Sequence, residues 1–257
     1  MKIVVLMKEV PDTYGERTLD LATGLAEREG AEKVLDEIGE RALEAALVYR
    51  DADPTAEIVA LSVGPASVPG SLRKALAMGA DSAVHVLDDG LVGADLTLTA
   101  EVLAAAIARL EADVVVAGNL STDGSGGVIP AMVAEHLGRP HLTSLTSWSL
   151  DPSTVTGVRA GDGATLGVSA PLPAVVSITE SFPDPRFPAF KGIMAAKKKP
   201  FDTWTLDDLG VSAAADLPRS IMTAVAERPA RAAGVKITDQ GDAGEKLADF
   251  LLENRLA

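Results

Sequence analysis

Cysteine is absent from the chain, which excludes disulfides, thiolate metal sites and a cysteine nucleophile. Aromatic residues are scarce, at 4%, although hydrophobic residues as a class reach 47%. Ala, Val, Leu and Ile must therefore fill the core, a balance that suits Val-rich strands under Ala/Leu helices in an α/β layer fold. Positive charge is short as well. The formal net charge of −14 argues against wholesale nucleic-acid binding. No apolar run approaches the roughly 20 residues of a membrane span. The apolar part of the opening MKIVVLMKEVPD is too short for a secretory signal and reads as a first strand, so the expected location is cytoplasmic. The three histidines, His85, His136 and His141, have no metal-ligand spacing. The chain has no P-loop, no G-x-G-x-x-G fingerprint and no G-x-S-x-G elbow. Asp88-Asp89 and Asp207-Asp208 read as turn and cap residues rather than acid/base pairs. With no nucleophile–base pairing, the chain is expected not to be an enzyme, and any chemistry would be carried by a cofactor or a partner.

What the chain does have is one organising stretch, ADVVVAGNLSTDGSGGVIPAMVAEHLGRP, over 112–140. A short apolar run at 114–117 reads as a buried strand. A loop rich in glycine follows, with Gly118, Gly124, Gly126 and Gly127 set among Asn119, Ser121, Thr122, Asp123 and Ser125. Pro130 then suits a first helical turn, and Gly138 closes the helix. Strand, glycine-rich loop and helix start form the layout that aims backbone N–H groups at an anion, so a phosphate-bearing ligand is one reading. No Lys or Arg lies between Gly118 and Leu137, which favours holding a nucleotide over cleaving it. A plain surface loop that needs glycine for its turns fits the local pattern equally well.

Along the chain, strands are expected at 2–7, 57–63, 82–87 and 114–117. Helices are expected within 31–50, with Asp36 as a candidate N-cap, and at 71–78, 95–110 and 130–137. The segment 12–30 is polar and reads as an excursion over the surface. Four strand–helix alternations in 137 residues imply parallel strands joined by right-handed crossovers. Ligands of such open sheets sit at the carboxyl ends of the strands, near the switch in strand order. Residues 6–10, 36–39, 63–65 and the loop from Gly118 all fall there. After Pro140, segments 143–149 and 154–159 flank an Asp-Pro turn as a hairpin, 165–169 is a candidate for a further short strand, and 174–178 returns to a buried one. Antiparallel strands are expected at one edge of the parallel sheet.

The run SFPDPRFPAFKGIMAAKKKP at 181–200 carries four prolines, which exclude a regular element at its start. Phe182, Phe187, Phe190, Ile193 and Met194 sit beside Lys191 and Lys197 to Lys199 in an otherwise acidic chain. Apolar residues rimmed by charge on a loop suggest a partner contact. The alternative is that the phenylalanines tuck back onto the sheet and the lysines are merely solvated. Residues 201–257 hold a short candidate helix near Leu206, an Ala-rich linker and a helix over 242–253. Residues 213–234 have too little apolar content to fold alone and are expected to pack on another surface.

These residues together resemble the β subunit of electron transfer flavoprotein. The resemblance covers nearly the whole chain. It rests on MKEVPDT near the start, LDEIGERALEAAL at 35–47, LSVGP at 61–65, RKALAMGAD at 73–81, the glycine-loop stretch, and LPAVVSITE through PRFPAFKGIMAAKKK at 172–199. It implies an α/β fold, doubly wound, with a mostly parallel sheet and antiparallel edge strands, of the Rossmann-like, adenine-nucleotide-binding kind. The implied domains are 1–200, with a recognition loop at 181–200, and a C-terminal extension over 201–257 that packs on the partner subunit. By motif position the AMP pocket would be lined by Leu6, Asp36, Glu37, Ile38, Gly39, Val63, Gly118, Asn119, Leu120, Ser121, Thr122, Asp123, Gly124, Ser125, Gly126, Gly127, Val128 and Ile129. Phe190, Lys191, Gly192, Ile193 and Met194 would dock partner proteins, with Phe190 as the apolar anchor.

The resemblance also implies a heterodimer with an α subunit that holds most of the FAD, AMP being a structural ligand of this chain. Electrons would come from acyl-CoA and other flavin dehydrogenases, as in fatty acid oxidation, and leave to a membrane quinone reductase. A bifurcating variety of the family, with a second FAD in place of AMP, is the alternative. Many members carry Asn-Gln-Thr-Gly or Ala-Gln-Val-Gly where this chain has Gly127, Val128, Ile129 and Pro130, so backbone N–H groups of Gly126 to Val128 are left to meet the phosphate. A Glu of the mammalian members aligns with Ala160, and an aromatic near the flavin in some members aligns with Thr13 or Tyr14. Two other classes stay in view. A nucleotide-hydrolysing α/β protein would need a phosphate-contacting Lys or a Ser-Gly-Gly-x-Asp-Ser loop, and a pure scaffold would have an empty pocket.

Overall fold

The computed structural model describes residues 1–28, 30–213, 220, 222–231 and 233–256. The first strand, β1 (Lys2–Leu6), is followed by two short strands, β2 (Glu9–Pro11) and β3 (Lys33–Leu35), and by helix α1 (Glu37–Ala52). Then come β4 (Glu57–Val63), α2 (Val68–Met78), β5 (Ser82–Val86), α3 (Leu96–Leu110), β6 (Val114–Gly118) and α4 (Ile129–Leu137). Next are β7 (His141–Leu150), β8 (Thr154–Gly161), β9 (Ala164–Pro171) and β10 (Ala174–Ile178). The chain continues through α5 (Phe190–Ala196), β11 (Phe201–Trp204), α6 (Leu206–Leu209) and α7 (Ala243–Glu253).

Nine strands form one sheet in the order β11-β5-β4-β1-β6-β10-β7-β8-β9. The pairings from β11 through β7 are parallel, and β8 and β9 add antiparallel strands at one edge. From β1 the chain steps outward to β4 and β5, then returns through α3 to pair β6 with the other side of β1. That reversal creates a switch point between the carboxyl ends of β1 and β6, where open α/β sheets receive ligands.

The fully buried strands carry apolar residues on both faces, as parallel strands must. Ile3, Val5 and Met7 of the β1 segment pack on the layer formed by α1 and α2, with Leu43, Leu47, Leu72 and Leu76. Val4 points the other way, into a layer with Val102, Leu103 and Ile107 of α3 and Val133 of α4. Helices cover both faces, so the doubly wound expectation holds.

Local chemistry explains the element ends. Asp95 caps α3 by accepting from the Leu98 N–H at 2.9 Å. Pro130 lies in the first turn of α4 and Gly138 ends it in the left-handed conformation. Helix α2 begins at Val68, three residues before the expected start, because Pro69 is tolerated in its first turn. Residues 31–35 belong to β3 and the approach to it, and α1 starts only at Glu37.

Four further elements, β2, β3, α5 and β11, differ from the sequence reading. The β2–β3 pair and β11 are three and four residues long, too short to show a period. The 181–200 segment, expected as a loop, turns helical at Phe190 once Pro183, Pro185 and Pro188 are past. Residues 201–204, grouped above with the extension, form β11, which pairs with β5, while α6 is the short helix expected near Leu206.

The chain forms two compact units, Met1–Thr223 and Ala224–Ala257. The second contains α7, on which Leu247, Phe250 and Leu252 are exposed. The expectation for 213–234 falls partly on residues 214–219, 221 and 232, which lie outside the described residues. Among the described residues no helix is long and apolar enough to cross a membrane.

Candidate functional site

At the switch point β6 ends in Gly118. A Cβ there would lie 2.5 Å from Ile38 Cγ2, so the first turn of α1 can close on the strand end only because residue 118 has no side chain. Asp36, just before α1, is 2% exposed and sits at the N-cap position. Its backbone carbonyl accepts from Glu40 N–H at 3.1 Å, but its carboxylate makes no capping bond. Instead Oδ2 accepts from the backbone N–H of Thr122 at 3.0 Å, across 86 residues of sequence. The expected capping residue is thus in place, with its side chain turned to the glycine loop. Its other oxygen, Oδ1, is buried without a hydrogen-bond partner, as is the Thr122 hydroxyl.

The loop is folded on itself. Ser125 N–H donates to Ser121 O at 3.0 Å, and Asn119 N–H donates to Ile178 O of β10 at 2.8 Å. Gly124 N–H and the Leu120 N–H are taken by the Asp123 and Asn119 side chains, at 2.6 and 2.9 Å. Gly126 faces Leu96 at the start of α3, and Val128 precedes α4. Of the residues named from the sequence, Asp36, Ile38, Gly118 and Thr122 are in direct contact. Gly39 lies beside Leu6 and Met7, while Glu37 is exposed. Val63 is the last residue of β4, at the carboxyl end of the parallel strands.

Three cations that the sequence reading passed over also reach the loop. Lys8, just past β1, donates to Ser121 Oγ at 3.2 Å and to Asp123 Oδ1 at 2.7 Å. Arg28 donates to Asp123 Oδ2 at 3.0 Å, and Arg17 donates to the carbonyls of Thr122 and Pro11. The surface excursion 12–30 is therefore pinned to the glycine loop by its arginines. Only the position of Lys8, directly after the first strand, could have signalled this.

The two carboxylates of the site are shifted in opposite directions. Burial would raise the Asp123 carboxyl, but hydrogen bonding and charge from Lys8, with help from Ser121 and Gly124, hold it well below the usual carboxylate range. Burial pushes Asp36 up, against the Thr122 N–H, and the Asp123 charge adds to the rise. Among the described residues no cluster of three or more His, Asp or Glu could hold a metal ion.

The second feature is the segment 181–200. Phe182 is buried and meets Trp148 edge-on, with ring centroids 6.5 Å apart. Phe187 and Phe190 are 94% and 80% exposed, and Ile193 and Met194 are about half exposed. The sequence alternatives thus divide: one phenylalanine tucks in and two do not. The lysines divide too. Lys199 Nζ donates to the carbonyls of Leu76 and Ala80, at 2.9 and 2.6 Å, closing the end of α2 where cations are favoured. Lys191, Lys197 and Lys198 are exposed. Helix α5 lies tight on α2: a Cβ on Gly192 would overlap the carbonyl oxygen of Ala77. Arg73 of α2 donates to Ala196 O at 2.9 Å and stands 5.2 Å from the Phe201 ring centroid.

The electron transfer flavoprotein domain matches residues 23–209. The electron transfer flavoprotein subunit beta of Mycobacterium leprae is 44% identical over 263 residues, which cover 99% of this chain and 98% of that protein. The protein of that name from Syntrophomonas wolfei is 34% identical, covering 98% and 96%. The caffeyl-CoA reductase-Etf complex subunit CarD of Acetobacterium woodii is 34% identical over 214 residues, covering 82% and 81%. Fold and site define a doubly wound α/β protein with a glycine-rich loop at its switch point. The chain belongs to the electron transfer flavoprotein family, as a β subunit. It is an electron-carrier subunit and not an enzyme.

Two measurements probe this geometry. Asp123 has a depressed pKa when folded, so its contribution to stability is present above the ordinary value of 3.8 and is lost as pH falls through the lower folded value. Asp36 has a raised one, so its contribution is present below 3.8 and lost as pH rises through the folded value. Urea unfolding between about pH 3 and pH 7 should show Asp123→Asn losing about 1.5–3 kcal/mol at neutral pH, the worth of its charged hydrogen bonds. Asp36→Asn should flatten the opposite slope. Separately, Gly192→Ala should destabilise by about 1–3 kcal/mol in thermal melts, because α5 cannot keep its seat on α2.

Proposed function

We propose that this β subunit holds AMP as a structural ligand at the switch point and supports an FAD carried mainly by an α subunit. The carrying observation is the junction of Asp36 and Thr122. Two buried polar atoms there, Asp36 Oδ1 and Thr122 Oγ1, lack protein partners. Such atoms are costly to leave unpaired, and a nucleotide offers ribose hydroxyls and an amino group to pair them. The loop and the start of α4 supply backbone N–H groups for a phosphate, in the manner of helix N-termini. The pocket is then Leu6, Asp36 to Gly39, Val63 and residues 118–129, as the family motif implies.

The α subunit covers the C-terminal extension in this reading, and the exposed Leu247, Phe250 and Leu252 of α7 support such a contact. Flavin dehydrogenases, acyl-CoA dehydrogenases among them, dock on α5. Phe190 enters an apolar pocket of the partner, while Lys191, Lys197 and Lys198 face an acidic rim. One anchor and a small charged rim suit a transient complex. FAD, when bound, accepts the electrons and passes them on, to a membrane quinone reductase or another acceptor. The chain's own part is to hold the nucleotide wall and present the docking helix.

A bifurcating variety, with a second FAD replacing AMP, is the second reading. It is favoured by the similarity to a subunit that works in one complex with a caffeyl-CoA reductase. Nucleotides released by denaturing the purified heterodimer decide between the two. One AMP and one FAD per heterodimer are expected; two FAD and no AMP establish the second reading, and an empty β pocket removes both. In steady-state reduction by a flavin dehydrogenase, Phe190→Ala should raise KM for the heterodimer about thirty-fold, the effect of losing an anchor of about 2 kcal/mol. Its FAD content should stay unchanged.

A further inference from the structure

The salt-bridged base of the docking segment has a role that no motif announces. Arg186 lies directly before the exposed Phe187. Its Nε donates to Glu44 Oε2 at 2.8 Å, its Nη2 donates to Glu44 Oε1 at 2.9 Å, and its own backbone N–H donates to Glu44 Oε2 at 3.1 Å. Nη2 also meets Asp51 Oδ2 at 2.8 Å. Glu44 is 7% exposed on the inner face of α1, between Leu43 and Ala45. A fork held at both nitrogens and at the main chain fixes direction as well as distance, which a single ammonium contact does not. One turn before Glu44, Arg41 donates to Phe182 O and to Asp184. Arg41, Glu44 and Asp51 share one stripe of α1, at the three- and seven-residue steps of a helix face. The segment between Phe182 and Arg186 is thus strapped along this stripe just before the two exposed phenylalanines.

We propose that Arg186, seated on Glu44 and Asp51, is a positioning residue for docking: it sets the angle at which Phe187 and Phe190 meet a flavin dehydrogenase. This rests on the docking role proposed above for α5. Arg186 touches no partner itself in this scheme. Its guanidinium is held charged, first by the hydrogen bonds to Glu44 and then by those to Asp51, so the strap persists across the physiological pH range.

The test uses the FAD-loaded heterodimer and a flavin dehydrogenase that reduces the wild type. Arg186→Gln should raise KM about ten-fold with kcat changed less than about two-fold, because docking and not electron acceptance is impaired. Removing one partner of a buried ion pair also destabilises, so the paired variant Glu44→Leu/Arg186→Met is needed; an apolar replacement of both leaves no buried charge unpaired, since Asp51, the third member, is exposed. The paired variant should melt within a few degrees of the wild type and still show the raised KM. Arg186→Lys, which keeps the charge and loses the fork, should fall between. If the paired variant recovers the wild-type KM while Phe190→Ala raises it, Arg186 serves stability alone and the proposal is overturned. If Phe190→Ala itself leaves KM unchanged, the docking reading falls, and this proposal with it.

Discussion

The missing side chain at residue 118 is the constraint on which the site depends. Ile38 fills the space that a Cβ would need, and this brings the first turn of α1 against the end of β6. Asp36 then stands close enough to take the Thr122 N–H, and the glycine loop acquires a fixed edge. Without that approach the loop would be tied to the domain through Asn119 on β10, its own turns and its cations. Further along α1, Arg41, Glu44 and Asp51 hold the segment before α5. A helix of 16 residues, about 24 Å long at about 1.5 Å per residue, therefore bears on both features, the loop at its start and the 182–186 segment from Arg41 to Asp51.

Charge is distributed with the same economy. The chain is acidic, yet cations gather at the loop and the docking segment. Lys8 and Arg28 are taken up by Asp123, and Arg17 by carbonyl oxygens, so these cations stiffen the loop rather than stand open. The lysine run after α5 is not uniform either. Lys199 is half-buried at the end of α2, where the carbonyls it meets face no further helical turn, while Lys197 and Lys198 remain in solvent.

How far the sequence alone reaches can be judged from particular residues. Regular alternation of Val-rich runs and Ala/Leu stripes made the doubly wound sheet legible, since strand and helix periods are strong signals over ten or more residues. Glycines marked the loop, and Asp36 was found although its carboxylate serves the loop rather than the helix cap. Strands of three or four residues, such as β2, β3 and β11, carry no period and were missed. Lys8, Arg17 and Arg28 were missed because contacts across the fold leave no local trace in a polar stretch. Glu44 did leave one: a carboxylate inside the buried run LEAAL calls for a partner, and Arg186 is that partner. The helix at Phe190 was hidden by prolines that flank it without entering it.

Helix α5, the proposed docking element, is seated by this chain alone, through Gly192 against Ala77 and Arg73 on the Ala196 carbonyl. A finger that is already ordered gives up little conformational freedom when it is gripped, and its release undoes no folding. Visits could then be brief and frequent, with lifetime governed by how fast the grip opens rather than by how fast the finger forms. In the docking role proposed for α5, the carrier leaves one partner before it serves the next, and stiffness of this kind would set the pace of that traffic.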